Sequence, residues 1–165
     1  MTKTVLITTY NGQDYILDQM KSIYNQTITP DEVVIIDDHS SDDTVKIIED
    51  FINMNNLSSW LLLENKNNKG WKANFHDGIS LTHGEAVLFC DQDDIWMPRK
   101  IEIEVGLLEE NPDANVICSE QKYFYDNNYC FPDDMKRVSL YKPVERGFER
   151  EIKKRFEYWN TFRKK

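Results

Sequence analysis

Short apolar runs alternate with longer segments whose apolar residues recur every three or four positions. The short runs, at 4–9, 33–36, 60–63, 86–90 and 115–119, have the length and composition of buried β-strands. The longer segments have the helical period, which predicts a helix after each of the first four runs. The residues that set these helices are Ile16, Met20 and Ile23, then Val45, Ile48 and Ile52, then the segment 72–82, and finally Ile101, Val105 and Leu108 after Pro98.

This strand–helix alternation predicts an α/β fold. Repeated units of this kind build a mainly parallel sheet with helices on both of its faces. With 165 residues, 40% of them hydrophobic, the chain has the size of one domain with a real core. A net charge of −9 argues against nucleic acid as a general partner, because a phosphate backbone requires a basic surface.

The charge is unevenly distributed. Residues 1–145 hold 12 basic and 26 acidic side chains, a balance of −14, whereas residues 146–165 hold 8 and 3, a balance of +5. In the segment 145–165 an apolar stripe at helical spacing is surrounded by basic residues, which predicts an amphipathic helix for an anionic membrane surface or a partner. Ordinary core packing is the alternative. The preceding segment, residues 121–144, is rich in aromatic residues and has no regular apolar period, and it could contain one strand.

The three cysteines, Cys90, Cys118 and Cys130, are odd in number, scattered, and without the spacing of a zinc site. Two of them fall in apolar, strand-like runs, which predicts reduced thiols in the core of a cytosolic protein. The N-terminus runs directly into a predicted strand and offers no apolar stretch long enough for a signal peptide. We therefore expect a cytoplasmic location.

Polar groups come directly after three of the predicted strands, at 8–11, 37–40 and 91–94. In open α/β sheets, ligands bind beyond the carboxyl ends of the strands, so these groups are expected to share one ligand site. Asp91 and Asp93 are two residues apart and can face one hard cation such as Mg²⁺ or Mn²⁺, while Gln92 turns aside. A solvated acidic turn is the alternative, and Asp94 could cap the following helix.

Four motifs together resemble those of a known family. They are Thr-Thr-Tyr-Asn-Gly at 8–12, Asp-Asp-His-Ser-Ser-Asp-Asp-Thr at 37–44, Asn-Lys-Gly-Trp-Lys-Ala-Asn-Phe at 68–75, and Asp-Gln-Asp-Asp-Ile-Trp at 91–96. Their order and spacing over residues 4–120 are similar to family 2 glycosyltransferases of the GT-A (Rossmann-like) fold. The last motif resembles rhamnosyltransferase-like members of bacterial surface polysaccharide synthesis.

The resemblance implies a nucleotide pocket. Thr8 and Tyr10 would line it, with the tyrosine ring against the base. Asp38 would accept a hydrogen bond from the base, while Asp37 would order the loop. Lys72 would lie near the diphosphate, where a cation counters charge on the leaving group. Lys69 is the rival for that place.

The resemblance also implies metal chemistry at the fourth strand. Asp91 would approach the ribose and the metal, and Asp93 would be the main ligand of Mg²⁺ or Mn²⁺, which would bridge the phosphates. The implied reaction is inverting transfer of a sugar from a UDP- or dTDP-sugar to a glycan or lipid-linked acceptor. The resemblance further implies a role in cell-surface polysaccharide or glycolipid synthesis.

No general base can be identified after residue 120. Asp133 and Asp134 come too early for the family's acceptor-side acid, and Glu157 lies on the basic segment. We therefore expect a GT-A domain truncated on its acceptor side, with residues 1–120 as the nucleotide-sugar-binding half and apolar surface prone to self-association. The alternative function is a nucleotide-sugar-binding module without catalysis. No Gly-rich loop typical of dinucleotide enzymes or sugar nucleotidyltransferases comes after the first strand.

Overall fold

The computed structural model describes residues 1–119 and, in backbone outline, 124–125 and 129–130. The chain divides into two units, Met1–Ser119 and Glu120–Lys165. The first unit alternates strands and helices as its sequence pattern predicts. Its elements are β1 Lys3–Thr9, α1 Ile16–Tyr24, β2 Glu32–Asp37, α2 Thr44–Met54, β3 Trp60–Glu64, α3 Trp71–Ile79, β4 Ala86–Asp91 and α4 Lys100–Glu110.

The four strands form one parallel sheet in the order β3-β2-β1-β4. Val5 of the central strand β1 lies opposite Val33 on one side and Leu88 on the other. Because all four strands run in the same direction, their carboxyl ends meet at one edge. The parallel α/β prediction is confirmed.

Alternation along the strands builds a core on each face of the sheet. Val5 and Ile7 point to the larger core, and Leu6 between them points to the smaller one. Helices α1, α2 and α4 cover the larger core, and α3 covers the smaller one. The predicted stripe of α1 is buried completely, as are the principal stripe residues of the other two helices: Ile16, Met20 and Ile23, then Ile48, and Ile101.

Helix α3 lies unusually close to the sheet at Gly78. A Cβ atom there would lie 2.7 Å from Leu6 and 2.9 Å from Ile36, so only glycine permits this approach. Phe75, one turn earlier, packs against the same small core. This close contact holds the N-terminal end of α3 beside the carboxyl ends of β1 and β2.

Three local predictions are wrong. Residues 115–119 form no strand; Val116 is 75% exposed, so this apolar run buries too little surface to hold an extended pairing. Cys118 is likewise exposed, although Cys90 is buried in the core as predicted. Helix α3 ends at Ile79 rather than 82.

The capping box of Ser40 and Asp43 at the start of α2 does not form either. The Ser40 hydroxyl donates to Asp37, and Asp43, at the N-cap position, makes no side-chain capping bond. Asp42 replaces it, because its Oδ1 accepts the Thr44 backbone N–H at 3.0 Å. The start of α2 is therefore held by a different carboxylate.

In the second unit, β5 Phe124–Tyr125 pairs antiparallel with β6 Tyr129–Cys130. The rest of the predicted irregular segment 121–144 and the predicted basic helix 145–165 lie outside the described residues. Among the helices that are described, none combines the length and the apolar character needed to cross a membrane.

Candidate functional site

A cleft of about 340 Å³ opens at the carboxyl edge of the sheet. The three polar groups expected at this edge all contribute to it, and α3 forms a further wall. The cleft is lined by Thr8, Thr9, Tyr10, Asp38, Trp71, Asn74, Phe75, Asp91, Gln92 and Asp93. The structure thus brings together five predicted site residues: Thr8, Tyr10, Asp38, Asp91 and Asp93. The sixth, Lys72, is absent from the lining.

Aromatic side chains flank the cleft. Tyr10 is 48% exposed at the end of β1, and Trp71 is 63% exposed at the start of α3. Phe75 is held edge-on to Phe89, with ring centroids 5.5 Å apart. Exposed rings at a polar cleft provide flat surfaces on which a planar ligand group, such as a base, can stack.

Asp37 holds the loop after β2 together. Its carboxylate accepts hydrogen bonds from the Thr9 hydroxyl at 2.8 Å, from the Ser40 backbone N–H at 2.8 Å and from the Ser40 hydroxyl. The residue is completely buried. This is the loop-ordering position that the sequence suggested for Asp37.

Asp38 holds the loop between β3 and α3. Its Oδ1 accepts from Asn65 Nδ2 at 3.0 Å and from the Lys69 backbone N–H at 2.8 Å, and its Oδ2 accepts from the Gly70 backbone N–H at 2.7 Å. Burial alone would raise the pKa of this carboxyl, but these hydrogen bonds outweigh it and lower the pKa below its usual value. Asp38 is therefore an ionised anchor that is 2% exposed.

Asn74 extends this network and was missed from the sequence, although it lies within the third of the four motifs. Its Oδ1 accepts from Asn65 Nδ2 at 2.7 Å, and its amide helps to lower the pKa of Asp38. The Asn74 Nδ2 atom is buried and makes no hydrogen bond of ordinary geometry within the described part of the chain. A lone asparagine in a helix carries no sequence signal for such a place.

The loop after β1 is fastened to the loop after β2. Asn11 adopts a left-handed conformation, with φ +46°, and its Oδ1 accepts the Ser41 backbone N–H at 2.9 Å. Its own N–H donates to Ser40 Oγ at 2.9 Å, and the Gly12 N–H donates to Thr44 Oγ1 at 2.8 Å. These bonds fix the backbone on either side of Tyr10.

The end of β4 has a different electrostatic character. Within the described residues, no hydrogen bond or ion pair reaches the carboxylate of Asp91 or Asp93, and both residues are exposed. Partial desolvation by the surrounding protein and then the charge of Asp93 raise the pKa of Asp91 above its usual value, although the side chain remains open to solvent. Burial, Asp91 and Asp93 raise the pKa of Asp94, with Lys100 opposing them. Among residues 1–119, Asp91 and Asp93 therefore carry negative charge that no hydrogen bond or ion pair compensates.

Asp94 does not cap the next helix. Helix α4 begins only at Lys100, with Arg99 at the N-cap position. The backbone N–H of Asp94 instead donates to the Asp91 carbonyl in the turn after β4. The helix-capping alternative for this acidic group is therefore wrong.

The donor set at the end of β4 fits a hard divalent cation completed by other ligands. Among residues 1–119, no group of three or more His, Cys, Asp or Glu side chains is arranged to hold a metal ion. Two carboxylates nevertheless suit Mg²⁺, which is commonly bound through one or two carboxylates with water and substrate phosphates. Asp91 and Asp93 have the chemistry for such a shared site.

The two candidate lysines differ in their contacts. Lys69 Nζ forms an ion pair with Asp77 at 3.0 Å, and its backbone N–H is bound to Asp38. Lys72 Nζ lies 5.3 Å from the centroid of the Trp71 ring. Lys72 thus sits beside a lining residue of the cleft rather than in the cleft.

Gln92 has a partner that the sequence did not indicate. Its side chain reaches back and hydrogen-bonds both backbone groups of Tyr10, at 2.8 and 3.1 Å. Because it lies between Asp91 and Asp93, it joins the acidic turn to the loop that carries the exposed tyrosine. The alternation of side chains along an extended segment predicts that Gln92 points away from Asp91 and Asp93. It does not predict that the partner of Gln92 is Tyr10.

Sequence comparison supports the family. Glycosyl transferase family 2 matches residues 4–163. The chain is 29% identical over 142 residues to the putative glycosyltransferase EpsH of Bacillus subtilis. This match covers 86% of the chain and 40% of EpsH. The chain is also 32% identical over 113 residues to the poly(ribitol-phosphate) beta-N-acetylglucosaminyltransferase TarS of Staphylococcus aureus, which covers 67% of this chain and 19% of TarS.

Solved structures agree. TarS 1–349 in complex with UDP-GlcNAc superposes with a TM-score of 0.61 and 28% identity, covering 68% of this chain and 32% of that one. The mannosyltransferase PcManGT from Pyrobaculum calidifontis in complex with GDP-Man and Mn²⁺ superposes with a TM-score of 0.60 and 26% identity. The match covers 64% of this chain and 32% of PcManGT. The chain spans less than half the length of each of these proteins. It has the GT-A fold and belongs to glycosyl transferase family 2.

Proposed function

We propose that the chain binds the nucleotide-sugar donor of a glycosyltransferase that acts in cell-surface polysaccharide or glycolipid synthesis. The observation that carries this proposal is the pair of carboxylates of Asp91 and Asp93, which no hydrogen bond or ion pair from residues 1–119 reaches, at a cleft flanked by exposed aromatic rings. A nucleoside diphosphate has a planar base and an anionic diphosphate, which such a cleft can take together. The similarity to TarS, described as a polymer-modifying transferase, supports the setting.

The base is placed at the Tyr10 end of the cleft. The exposed ring of Tyr10 stacks on it, and Asp38, which lines the cleft, accepts from an N–H on the edge of the base. Asp38 Oδ2 accepts from the Gly70 N–H at 2.7 Å, and a carboxylate oxygen can accept a second hydrogen bond, here from the ligand. A base that presents an N–H, such as uracil or thymine, therefore suits this place.

The diphosphate is placed at the end of β4. Asp93, with Asp91, would hold Mg²⁺ or Mn²⁺ together with phosphate oxygens of the donor. A metal bound there supplies Lewis-acid stabilisation of the departing nucleotide diphosphate. The Mn²⁺ in the complex of the structurally similar PcManGT with GDP-Man supports a divalent ion at this place. Lys72, at the start of α3, adds positive charge on the diphosphate side.

The described cleft contains donor-binding groups but no acid suited to activate the acceptor. Its only acidic lining residues are Asp38, which is bound to three donors, and the two proposed metal ligands. Inverting transfer requires a base on the acceptor hydroxyl. This observation favours a second candidate function, a nucleotide-sugar-binding module that transfers sugar poorly by itself.

We also propose that the segment 145–165 contacts anionic lipid at the cytoplasmic face of the plasma membrane, where lipid-linked acceptors are available. Its apolar stripe and the balance of +5 over residues 146–165 support this placement. Salt-sensitive flotation with anionic but not neutral liposomes is expected. Equal flotation, or none, would contradict the membrane contact.

The direct test is a calorimetric titration of the chain with UDP, dTDP, UDP-GlcNAc and GDP-mannose, each with Mn²⁺ and with EDTA. Saturable binding of at least one of these ligands with Mn²⁺ is expected. Asp50→Asn, an exposed acid on α2, is the matched control and should bind as the wild type does. Absence of binding to the whole panel would contradict the proposed function.

A transfer assay with the same donors separates the two candidate functions. Donor binding with transfer to a simple sugar acceptor supports an enzyme that is complete in this chain. Donor binding with a turnover ~10²–10⁴-fold below that of a transferase that has its general base supports the binding module.

A further inference from the structure

The hydrogen-bond ladder between β1 and β4 is continued by one side chain. The backbone register ends with Thr8 opposite Asp91. Beyond that point, Gln92 Oε1 accepts the Tyr10 N–H at 2.8 Å, and Gln92 Nε2 donates to the Tyr10 carbonyl at 3.1 Å. The carboxamide thus imitates a peptide group and engages both backbone atoms of Tyr10 at once.

The carboxamide of Gln92 is tightly placed. A Cβ atom on Gly12 would lie 2.2 Å from Gln92 Oε1 and 2.6 Å from Cδ, distances at which one group must move. Only a glycine at position 12 leaves room for the bridge. We call this pair of hydrogen bonds between the Gln92 carboxamide and the Tyr10 backbone the Gln92 bridge. The carboxamide packs directly against Gly12.

The Gln92 bridge links two parts of the cleft that have different proposed ligands. Asp91 and Asp93 lie on either side of Gln92 in the turn after β4. Tyr10 lies in a loop that is already fastened to the β2 loop through Asn11. A change in the geometry of the acidic turn is transmitted to the Tyr10 backbone, because the bridge bonds the two loops directly.

We propose that Gln92 is a positioning residue that couples cation binding at Asp91 and Asp93 to nucleotide binding at Tyr10. This inference rests on the proposed function. A cation that fixes the turn also fixes the Tyr10 backbone through the bridge, which pre-orders the stacking surface. Since such coupling is reciprocal, the nucleotide strengthens cation binding by the same factor.

Glutamine is suited to this place because the bridge requires both a donor and an acceptor. A glutamate would keep the acceptor, lose the Nε2 donor and add a negative charge between Asp91 and Asp93. Gln92→Glu is therefore a nearly isosteric variant that breaks one bond of the bridge and preserves its shape. Gln92→Ala removes both bonds.

The test measures the coupling factor, the ratio of UDP affinities with saturating Mn²⁺ and with EDTA, in wild type and variants. The loss of two partly exposed hydrogen bonds predicts a factor roughly 3- to 10-fold smaller in Gln92→Ala. Titration of Mn²⁺ with and without UDP should give the same reduction. Gln13→Ala is the matched control: Gln13 Oε1 accepts the Asp43 N–H at 3.2 Å in the neighbouring loop, away from the β4 turn.

Gly12 supplies a second arm. Gly12→Ala should reduce the coupling factor by displacing the carboxamide. The double variant Gly12→Ala with Gln92→Ala should have a coupling factor no smaller than that of Gln92→Ala alone. Amide hydrogen exchange at Tyr10 is a readout that needs no ligand. Exchange should accelerate in Gln92→Ala, which removes the acceptor of the Tyr10 N–H, but not in Gln92→Glu, which keeps that acceptor. Exchange at Val5 in the middle of β1 should stay unchanged in both variants.

The outcomes separate this inference from the proposed function. Wild-type coupling that Gln92→Ala leaves intact would overturn the bridge alone. Metal-independent UDP binding in the wild type would overturn both the metal assignment and the coupling. Reduced coupling with normal hydrogen exchange at Val5 and an unchanged Gln13→Ala control supports the bridge.

Discussion

The ends of β2 and β4 both present neighbouring aspartates at the same edge of one sheet, yet the protein treats them in opposite ways. Asp37 and Asp38 are buried, and each accepts three hydrogen bonds from backbone and side-chain donors. Asp91 and Asp93 are exposed, and no hydrogen bond or ion pair from residues 1–119 reaches their carboxylates. Residue type and strand position are therefore insufficient to define a role.

The difference lies in the loops beyond each strand. After β2, donors come from the end of β1, from the β2 loop itself and from the loop between β3 and α3, so the two carboxylates are satisfied internally and serve structure. After β4, the next residues add further acid, and the pKa of Asp91 is raised by burial and by Asp93. Charge left in this condition is stabilised by a cation from outside the protein. We infer that the β2 end builds the cleft and the β4 end serves the ligand.

Removal of a carboxylate at the β2 end should have the largest effect on stability. Asp38→Ala leaves three donors of the β3–α3 loop without their acceptor, which predicts a loss of roughly 2–4 kcal/mol in the free energy of unfolding. Urea denaturation measures it. Asp43→Ala is the control, since Asp43 makes no side-chain capping bond, and should change the free energy by less than about 0.5 kcal/mol. Equal losses in the two variants would contradict the anchoring role.

Removal of a carboxylate at the β4 end should affect ligand binding instead. Asp93→Ala removes a proposed metal ligand, so the affinity for UDP in the presence of Mn²⁺ should fall by about 100-fold, or about 2.7 kcal/mol. The free energy of unfolding without ligand should not decrease, because the variant removes charge repulsion. Calorimetry and urea denaturation on one preparation check both parts. A destabilised protein with normal UDP affinity would reverse the assignment.

The two strand ends should also differ in the sign of their pH dependence. The pKa of Asp38 is lowered, so its contribution to stability is present above the unfolded pKa of about 3.9 and is lost as the pH falls through the lower folded value. The pKa of Asp91 is raised by burial and Asp93, so its ionised form costs stability that is regained as the pH falls through the folded pKa.

Asp38→Asn and Asp91→Asn test this contrast. The difference in the free energy of unfolding between wild type and Asp38→Asn should shrink as the pH is lowered below about 4. In contrast, the stability of wild type should rise relative to that of Asp91→Asn as the pH falls through the folded pKa of Asp91. Chemical denaturation at a series of pH values provides both curves. Parallel curves for the two variants would show that the strand ends do not differ in charge compensation.

The lysines before and within α3 give the smallest expected effect. Lys69 is engaged by Asp77, whereas no ion pair of Lys72 occurs among residues 1–119. Lys72→Ala should weaken UDP binding by roughly 3-fold, and Lys69→Ala by less than about 2-fold, because exposed charges act weakly through solvent. Calorimetry at two salt concentrations measures both. A larger effect for Lys69 would transfer the diphosphate contact to that residue.

The sequence was most informative where periodicity decides the structure. The stripe of Ile16, Met20 and Ile23 and the β-branched runs specify buried faces, so the parallel sheet and the convergence of its carboxyl ends could be predicted. The apolar run at 115–119 has strand composition but buries little surface, since Val116 is 75% exposed. Propensity without burial does not make a strand.

The sequence indicated which strand ends would meet at the cleft, but not the hydrogen bonds between them. The spacing of Asp91 and Asp93 indicated a shared direction, and both residues line the cleft together with Asp38. That Asp38 holds the Lys69 and Gly70 N–H groups depends on a contact across about thirty residues, which local spacing does not encode. The Gln92 bridge depends on a contact across 82 residues and on the absence of a side chain at Gly12.

We infer that the end of β4 binds a divalent cation shared with a nucleoside diphosphate. Anomalous diffraction at the manganese edge, from crystals grown with UDP and Mn²⁺, tests this inference most directly. We expect one Mn²⁺ bound to both phosphates and about 2.1 Å from a carboxylate oxygen of Asp93, a distance typical of small divalent ions. UDP bound in the cleft with no manganese near Asp91 or Asp93 would contradict it.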